Sequence, residues 1–568
     1  MERRLHMSRS LTPRSSLDNL RKEARRWLAA LQAGDPQARS RLLAATPAAP
    51  AEPGLRDVQH ALAREYGLAG WSALRRALDD LASDRQSLEK QVDIVLRSVM
   101  WQASTDAASR ILKRVPAIAT ADLYMAASTG SLAELERRLA TEPGAAQRKG
   151  GPLDWEPLLY LAYSRLPVSE TNALPMARLL LAGGADPNAS WTGPWGPPAF
   201  TVLTGLIGEG EAGLPPHPQA MELATLLIDA GADPYDPQAL YNTSIVGDDV
   251  TWLEFLWDQS ERRGRQEAWR EVGGATAIGG QRPVNALDYL LGNATAANHL
   301  RRADWLLAHG ANADSLHAYS GRPQREEALV QGYEEMASLL TRHGAARTPL
   351  TEKDAFRSAC LRGDRDAARE LLGRHPGFLD DGDPLRAAAG RGRADLVALM
   401  LDLGFDVDDA DATATRPLHK AIAAGSLESV KLLVAHGADV DRRTLQHGGP
   451  MGFACHFERR EIAQFLAPRS RDVHCMTWLG FKTRLAELFE ADPTLVNAVE
   501  PSLGLTPLFA LPDDEDEAVD MATFLLSHGA DPSIRNDAGM TAEESQRQAG
   551  LVDIADFLHA WRSRRMSS

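Results

Sequence analysis

Residues 415–443 read TRPLHKAIAAGSLESVKLLVAHGADVDRR, and this stretch decides the fold. Pro417 fixes φ for the start of a helix, and apolar residues then recur at the i, i+3, i+4 spacing of one helix face. Gly425 supplies the left-handed residue that ends this helix, and Ser426 can cap the next one. The first half of the stretch therefore predicts a short helix followed by a tight turn.

The second half of this stretch predicts a second helix. Its apolar residues again lie on one face, and Gly437 ends the helix before Asp439 opens a turn. One helical hairpin has no second layer against which to bury its apolar faces, so each hairpin must stack on a neighbour. The residues of this second apolar face are Leu427, Val430, Leu433 and Val434.

The phrase LLVAHGADVD, at residues 432–441, returns along the chain. Related copies occur at residues 179–188, 226–235, 306–314, 339–347, 400–408 and 525–533. Gly310 and Gly344 are 34 residues apart, and Gly404 and Gly437 are 33 residues apart. Repetition at a spacing of this size is typical of an array of stacked structural units.

The pattern resembles that of ankyrin-repeat proteins. RPLHKAIAAG corresponds to the family's TPLHxAxxxG, and LLVAHGADVD corresponds to its LLLxxGADVN. The resemblance implies an all-α fold, an ankyrin-repeat solenoid of about 14 helix-turn-helix units, many of them degenerate. We expect a helical N-terminal region at residues 1–90 and a first array with loop insertions at 91–350. A second, more regular array with a C-terminal cap is expected at 351–568, continuous with the first.

The N-terminal region shows a resemblance of its own. Residues 55–78, LRDVQHALAREYGLAGWSALRRAL, are similar to a helical segment that precedes the repeats in many bacterial ankyrin proteins. The resemblance implies that this region covers the exposed apolar side of the first repeat, because a stack needs a cap at each end. Residues 550–565 end in charge instead of a glycine turn, which predicts a closing helix.

The composition limits the possible functions. A net charge of −15 argues against binding of a phosphate backbone by the molecule as a whole. Three cysteines without CxxC spacing predict neither a disulfide framework nor a zinc knuckle, and they fit a reducing compartment. The sequence shows neither a secretory signal nor a run of about 18 apolar residues. We therefore expect a cytoplasmic protein that does not enter a membrane, and the resemblance of residues 55–78 to bacterial ankyrin proteins implies that it is bacterial.

Two patterns suggest chemistry that their surroundings do not support. A GxGxxG sequence occurs at Gly208, Gly210 and Gly213, but prolines follow it where a dinucleotide site needs a helix. We interpret it as an insertion between two helices. The acidic run at residues 513–517 precedes a helix and is interpreted as a solvated loop. Since no catalytic motif is recognised, we expect neither an enzyme nor a cofactor.

Histidines and cysteines raise the question of a metal site. Cys455 and His456 are adjacent, as are His474 and Cys475, but neighbouring residues on a helix point about 100° apart and do not readily chelate together. Four other histidines each precede a helix-ending glycine, where the helix C-terminus favours them. These are His309, His343, His436 and His528. We therefore expect no bound metal.

The partner-binding surface is expected on the turns between repeats. In ankyrin proteins these turns and the first helices line the concave face that contacts partners. Trp191 and Trp195 lie among glycine and proline, outside any helical period, and are candidate anchors; packing against the insertion or a neighbouring turn is the equally weighted alternative. The other candidates are Tyr235, His317, Tyr319, Arg442, Arg443, Leu445 and His447.

These features predict a non-catalytic, monomeric scaffold that binds another protein through its concave face and inter-repeat turns. The alternatives are a regulatory or inhibitory subunit of an enzyme and a secreted bacterial effector. Nucleic-acid binding through the basic N-terminal helix is disfavoured, because acidic residues interrupt that helix and its apolar stripe predicts a cap that faces a core. The basic residues are Arg14, Arg21, Lys22, Arg25 and Arg26, and the stripe is Leu17, Leu20, Ala24, Trp27, Leu28 and Leu31.

Overall fold

The described part of the chain forms two compact units. One unit consists of Met1–Leu74 with Thr351–Ser568, and the other of Arg75–Leu350. Buried apolar side chains form a separate core within each unit. The computed structural model describes residues 9, 11, 12, 15–83, 87–100, 105–166, 172–193, 196–208, 210, 213–245, 247–272, 284–445, 448–512, 514–549 and 551–566.

In the N-terminal part and the unit Arg75–Leu350, most of the regular elements are helices. The N-terminal helices are α1 Leu17–Gln32, α2 Pro36–Ala45, α3 Leu55–Glu65 and α4 Trp71–Ser83. The helices that follow are α5 Leu88–Arg97, α6 Asp106–Arg114, α7 Leu123–Thr129, α8 Leu132–Thr141, α9 Pro157–Tyr163, α10 Ala173–Ala182, α11 Val202–Ile207, α12 Ala220–Asp229, α13 Pro237–Ile245, α14 Thr251–Arg262, α15 Ala286–Ala297, α16 Leu300–Ala308, α17 Gln324–Val330 and α18 Glu334–Arg342. Shorter elements are the 3-10 helices Pro116–Thr120, Ala145–Gln147 and Gln266–Trp269 and the strands β1 Ser190–Gly193 and β2 Gly196–Thr201.

The C-terminal part has the same construction. Its helices are α19 Glu352–Arg362, α20 Arg365–Arg374, α21 Asp383–Gly390, α22 Ala394–Leu403, α23 Pro417–Ala423, α24 Leu427–Ala435, α25 Pro450–His456, α26 Arg460–Leu466, α27 Val473–Trp478, α28 Lys482–Ala491, α29 Glu515–Ser527, α30 Ala542–Gln548 and α31 Val552–Met566. Its 3-10 helices are Pro376–Asp380, Pro493–Asn497 and Pro507–Phe509.

These helices form an all-α solenoid of stacked pairs. Among the described residues, helices α5 to α28 make twelve consecutive pairs, and the 3-10 helix Pro507–Phe509 with α29 and α30 with α31 make two more. Within each unit the first helix of one pair packs on the first helix of the next, as α7 on α9 and α21 on α23. The total of fourteen agrees with the predicted number.

The pair α23 and α24 shows why the sequence folds in this way. Pro417 begins α23, and the Ser426 hydroxyl caps α24 by accepting a hydrogen bond from a backbone N–H in its first turn. Gly437, which follows α24, has φ of +92°, a conformation that glycine adopts without strain. Ile422 on α23 and Leu433 on α24 are fully buried. The capping and the apolar pattern predicted from the sequence are confirmed.

Polar side chains in the turns fix the register between neighbouring pairs. The Asn188 Oδ1 atom accepts a hydrogen bond from the Asp233 backbone N–H at 2.9 Å, and its Nδ2 donates to the Gly231 carbonyl at 3.0 Å. Asn497 makes the same two bonds, at 2.8 and 3.1 Å, to the turn at residues 529–531. Each asparagine holds the Gly-Ala-Asp turn of the next pair, at residues 231–233 or 529–531, so a slip between pairs would break both bonds.

Two insertions lie near α11. Strands β1 and β2 form an antiparallel hairpin before this helix, and the glycine sequence Gly208, Gly210 and Gly213 lies in the loop between α11 and α12. The Arg165 guanidinium holds this loop by donating to the Pro215 carbonyl at 2.8 Å. Because the glycines follow a helix instead of a strand, the predicted insertion is confirmed and the requirement for a dinucleotide-binding turn is not met.

The N-terminal helices pack on one another. Helix α1 contacts both α2 and α3, and its stripe residues Leu20, Ala24 and Trp27 are buried. The Arg41 guanidinium lies 3.8 Å from the centre of the Trp27 ring. Arg14 lies outside the described residues. Since Met1–Leu74 belongs to the same unit as Thr351–Ser568, the role of this region as a cap on the first repeat stays a prediction.

We predict that shortening a side chain in the stacked face costs much more stability than shortening its neighbour. Leu433→Ala should lower the free energy of unfolding by about 3 kcal/mol, because Leu433 is fully buried and a cavity would remain. Leu432→Ala, next to it and only half-buried, should cost about 1 kcal/mol. Urea unfolding of the full chain measures both values, and equal losses would contradict this packing.

Candidate partner-binding surface

The turns of the second array are the best-formed part of the predicted surface. Four of them are closed by a backbone hydrogen bond across the turn, at 2.8 to 3.0 Å. The donor and acceptor pairs are Asp411 with Thr415, Thr444 with Gly448, Glu500 with Leu505, and Asn536 with Met540. These bonds hold the described ends of each turn in place before any partner arrives.

Neighbouring turns are also joined to one another. The Leu445 N–H donates to the Thr413 carbonyl at 3.0 Å, and the Asp537 N–H donates to the Leu503 carbonyl at 3.1 Å. These bonds connect the turns pairwise near their tips. The turns at residues 411–415 and 441–445 thus form one continuous surface, as do those at 500–505 and 535–541.

One turn is shortened between these two surfaces. The connection from α26 to α27 is brief, and the Asp441 carboxylate accepts hydrogen bonds from the Ser470 hydroxyl at 2.6 Å and from the Arg471 N–H at 3.0 Å. The Arg443 guanidinium spans the resulting gap and forms an ion pair with Glu500. This ion pair links the turn of Leu445 to the next long turn.

The predicted residues of this region differ in their exposure. Leu445 is 76% exposed at the tip of its turn. Arg442 is also exposed, and its guanidinium lies 3.0 Å from an Asp439 carboxylate oxygen. Arg443 is engaged in the ion pair with Glu500. His447 lies outside the described residues.

His419 holds the backbone behind Arg442. This histidine is fully buried, its Nε2–H donates to the Arg442 carbonyl at 3.0 Å, and its Nδ1 accepts from the Arg416 N–H at 3.2 Å. These two bonds need the neutral ring with the proton on Nε2. Burial lowers the pKa of His419 to about 4, because desolvation disfavours the charged ring.

Trp191 is packed as well as accessible. It lies in β1 opposite Phe200 of β2, and the two rings stack with 4.7 Å between their centres. The Trp191 ring also lies 5.2 Å from that of Trp155. The side chain is half-buried in this aromatic cluster. This packing corresponds to the alternative in which Trp191 contacts a neighbouring turn instead of a partner. Trp195 lies outside the described residues, and the anchor role of both tryptophans stays a prediction.

The remaining predicted residues lie in the unit Arg75–Leu350. Tyr235 is half-buried with its ring 6.1 Å from that of Trp269, and burial raises the pKa of its hydroxyl to about 12. His317 is buried, which lowers its pKa, and its Nδ1 accepts from the Ser320 N–H at 3.1 Å. Tyr319 is exposed, although its hydroxyl shares a hydrogen bond of 2.9 Å with Tyr289. Of these three, Tyr319 offers the most surface to a partner.

Sequence reasoning missed two exposed apolar residues. Val499 and Leu503 are both more than half exposed; Leu503 lies in the turn closed by Glu500 and Leu505, and Val499 directly precedes it. The signal was present, because apolar residues within the turn sequence AVEPSLGLTP have no helical neighbours with which to pack. With Leu445 they give the second array three exposed aliphatic side chains on or beside its turns.

The histidines that precede the helix-ending glycines serve the helix ends. The Nδ1 atoms of His309, His436 and His528 each donate to the carbonyl four residues earlier, at 2.7 to 2.8 Å. His343 instead places Nε2 3.1 Å from an Asp304 carboxylate oxygen. The predicted placement of these residues at helix C-termini is confirmed.

The cysteine and histidine pairs are engaged with the protein. The neighbouring Cys455 thiol and burial raise the pKa of the Cys475 thiol above its ordinary range. The His474 Nε2–H lies 2.9 Å from the Leu505 carbonyl. The described residues contain no group of three or more His, Cys, Asp or Glu side chains placed to hold a metal ion.

We predict that acid destabilises the protein through His419. The folded protein binds this proton only near pH 4, whereas the unfolded chain binds it near the ordinary value of 6.5. As the pH falls from about 6.5 to 4, the unfolded state gains protons first, so the free energy of unfolding should fall by up to about 3 kcal/mol. Urea unfolding across this range should show a shallower fall for His419→Asn, and identical slopes would contradict the assignment.

We predict that Trp191 contributes to stability. Trp191→Ala should lower the free energy of unfolding by about 2 kcal/mol, because the half-buried ring loses its stacking on Phe200 and its contact with Trp155. Leu445→Ala is the matched control and should change it by less than about 0.5 kcal/mol, since its side chain is exposed. A Trp191→Ala protein as stable as this control would show that the aromatic cluster carries no stability.

Comparisons with known proteins agree with the repeat pattern. A family model for ankyrin repeats matches three copies at residues 356–444. The ankyrin repeat protein YahD of Escherichia coli K12 is 26% identical over 187 residues, which are 30% of this chain and 92% of the relative. Human ankyrin repeat domain-containing protein 37 is 36% identical over 85 residues, or 15% of this chain and 52% of the relative.

A solved structure also has a similar chain. It is a complex of a predatory endopeptidase from Bdellovibrio bacteriovorus with an immunity protein, with 24% identity over 31% of this chain and 96% of that chain, and a TM-score of 0.26.

No helix of the described residues is long and apolar enough to cross a membrane. The repeat sequences, the match of residues 356–444 to the family model and the stacked helical pairs agree, and the chain contains ankyrin repeats.

Proposed function

We propose that this protein is a non-catalytic, monomeric scaffold of the bacterial cytoplasm that binds a partner protein through its concave face and inter-repeat turns. Ankyrin repeats generally mediate protein–protein interaction. The observation that carries the proposal is Leu445, which is 76% exposed and whose backbone N–H is bonded to the Thr413 carbonyl of the preceding turn. A large apolar side chain held rigidly in solvent costs free energy unless a partner covers it.

The rigidity of the turn favours binding. Thr444 is bonded across the turn to Gly448, and Leu445 is bonded to Thr413 of the preceding turn. Behind them, His419 anchors the Arg442 carbonyl. Since the backbone is already ordered, a partner that docks here does not lose the conformational entropy of closing a flexible loop.

The side chains around Leu445 supply both apolar area and charge. Leu503 and Val499 add exposed aliphatic surface, and Arg442 places a guanidinium at the solvent boundary. Apolar residues surrounded by polar groups are the usual composition of a protein-binding patch. Arginine is also enriched among the residues that contribute most to binding energy. This surface therefore suits a partner with an apolar contact region bordered by acidic groups.

The test is recovery of a stoichiometric partner with paired variants of the full chain. Leu445→Asp should reduce recovery at least tenfold, because it places a charge where apolar area is to be buried. Leu88→Asp is the control, since Leu88 is 57% exposed on α5, a helix of the other unit. Quantitative mass spectrometry of the affinity-purified proteins compares them, and a binding assay with the purified partner gives the dissociation constants.

The stability of the two variants has to be measured together with recovery of the partner. Both variants should unfold at the same urea concentration as the natural protein, because both side chains are exposed. Equal recovery of the partner by Leu445→Asp and Leu88→Asp would then exclude the turn of Leu445 as the binding surface.

A further inference from the structure

A cleft of about 540 Å³ lies within the unit formed by Met1–Leu74 and Thr351–Ser568. Residues of α1, α3 and α4 line one side of it, and residues of α29 and α31 line the other. The volume is in the range of sites that enclose a small organic molecule. The cleft is separate from the turns of the proposed partner-binding surface.

The apolar part of the cleft is aromatic. Trp71 of α4 and Phe557 and Trp561 of α31 all contribute to its lining. Phe557 and Trp561 are half-buried, so their rings give the cleft an aromatic wall that the ring of a ligand can contact.

The charged part of the lining carries both signs. Arg25 of α1 and Glu517 of α29 are exposed at the cleft, on its opposite sides. No ion pair involving either side chain is found among the described residues, in contrast to Asp520, which also lines the cleft and pairs with Lys482 at 2.5 Å. One cation and one carboxylate are therefore both available to a ligand.

We propose that this cleft binds a free aromatic amino acid. The ring of the amino acid occupies the apolar part between Trp71, Phe557 and Trp561. Its carboxylate takes the Arg25 guanidinium as a partner, and its ammonium group takes the Glu517 carboxylate. A zwitterion with an aromatic side chain matches both charges and the aromatic lining together, whereas a simple cation or anion would leave one charge without a partner.

The test is isothermal titration calorimetry of the full chain with L-phenylalanine. A ligand of this size is expected to bind with a dissociation constant of roughly 0.1–1 mM. Two analogues isolate the charges: 2-phenylethylamine lacks the carboxylate, and 3-phenylpropanoate lacks the ammonium group. Each should bind at least tenfold more weakly than L-phenylalanine.

Variants assign the charges to their residues. Arg25→Gln and Glu517→Gln should each weaken binding of L-phenylalanine at least tenfold. Arg369→Gln on α20 and Glu490→Gln on α28 are matched controls, since both are exposed residues of the same unit that do not line the cleft, and they should leave binding unchanged. All four positions are exposed, so the variants should fold as the natural protein does.

Three results would overturn the proposal. One is the absence of heat from L-phenylalanine up to 10 mM, which is roughly ten times the weakest expected dissociation constant. Another is equal binding of L-phenylalanine and either analogue, which would show that one charge is not recognised. The third is equal loss of binding in the cleft variants and their controls. None of these results bears on the partner-binding turns, so failure here leaves the proposed scaffold function untouched.

Discussion

Each helical pair of this protein buries its apolar faces against the next pair in the same unit. Ile422 and Leu433 are fully buried, although they belong to helices of seven and nine residues that would be marginal in isolation. Helix α23 obtains its cover from α21 before it and α25 after it. The turns, their exposed side chains and the cleft all depend on this packing, because it is what holds the helix ends in position.

The packing of the helices determines where the turns lie on the surface. Asparagine side chains such as Asn188 and Asn497 bond each turn to the next, so the spacing of the helices also sets the spacing of the turn tips. The shortened connection after α26 interrupts the series, and Arg443 crosses the gap to Glu500. The helical pairs stack in the same way on both sides of this shortened connection. One turn of the array can therefore differ from the others without a change in the core.

Much of the fold could be predicted from the sequence because its signals are local. Proline at a helix start, glycine at a helix end and the apolar spacing act within one pair, and they placed α23 and α24 correctly. The hairpin of β1 and β2 was not predicted, since its strands hold together through Trp191 and Phe200, which pair across a turn rich in glycine and proline. The association of Met1–Leu74 with Thr351–Ser568 depends on contacts between residues hundreds of positions apart, which no local pattern encodes.

The candidate surface was predictable to the same extent. The local sequence shows which residues lie in a turn. It identified Arg442 and Leu445 as turn residues, and both are exposed. The degree of burial within a turn is not local. His317 is buried and makes hydrogen bonds inside its own turn, and Trp191 packs on Trp155 from the preceding turn, neither of which the turn sequence shows. Leu503 was missed because a single leucine in a turn resembles one that packs inward.

The dependence of each pair on its neighbours can be measured by hydrogen exchange of the full chain carrying Ile422→Ala. Ile422 is fully buried in α23, so the substitution leaves a cavity in the face shared with α21 and α25. Amide exchange should become faster in α21 and α25 as well as in α23, and it should not change in the unit Arg75–Leu350. Faster exchange confined to α23 would contradict mutual stabilisation by stacking.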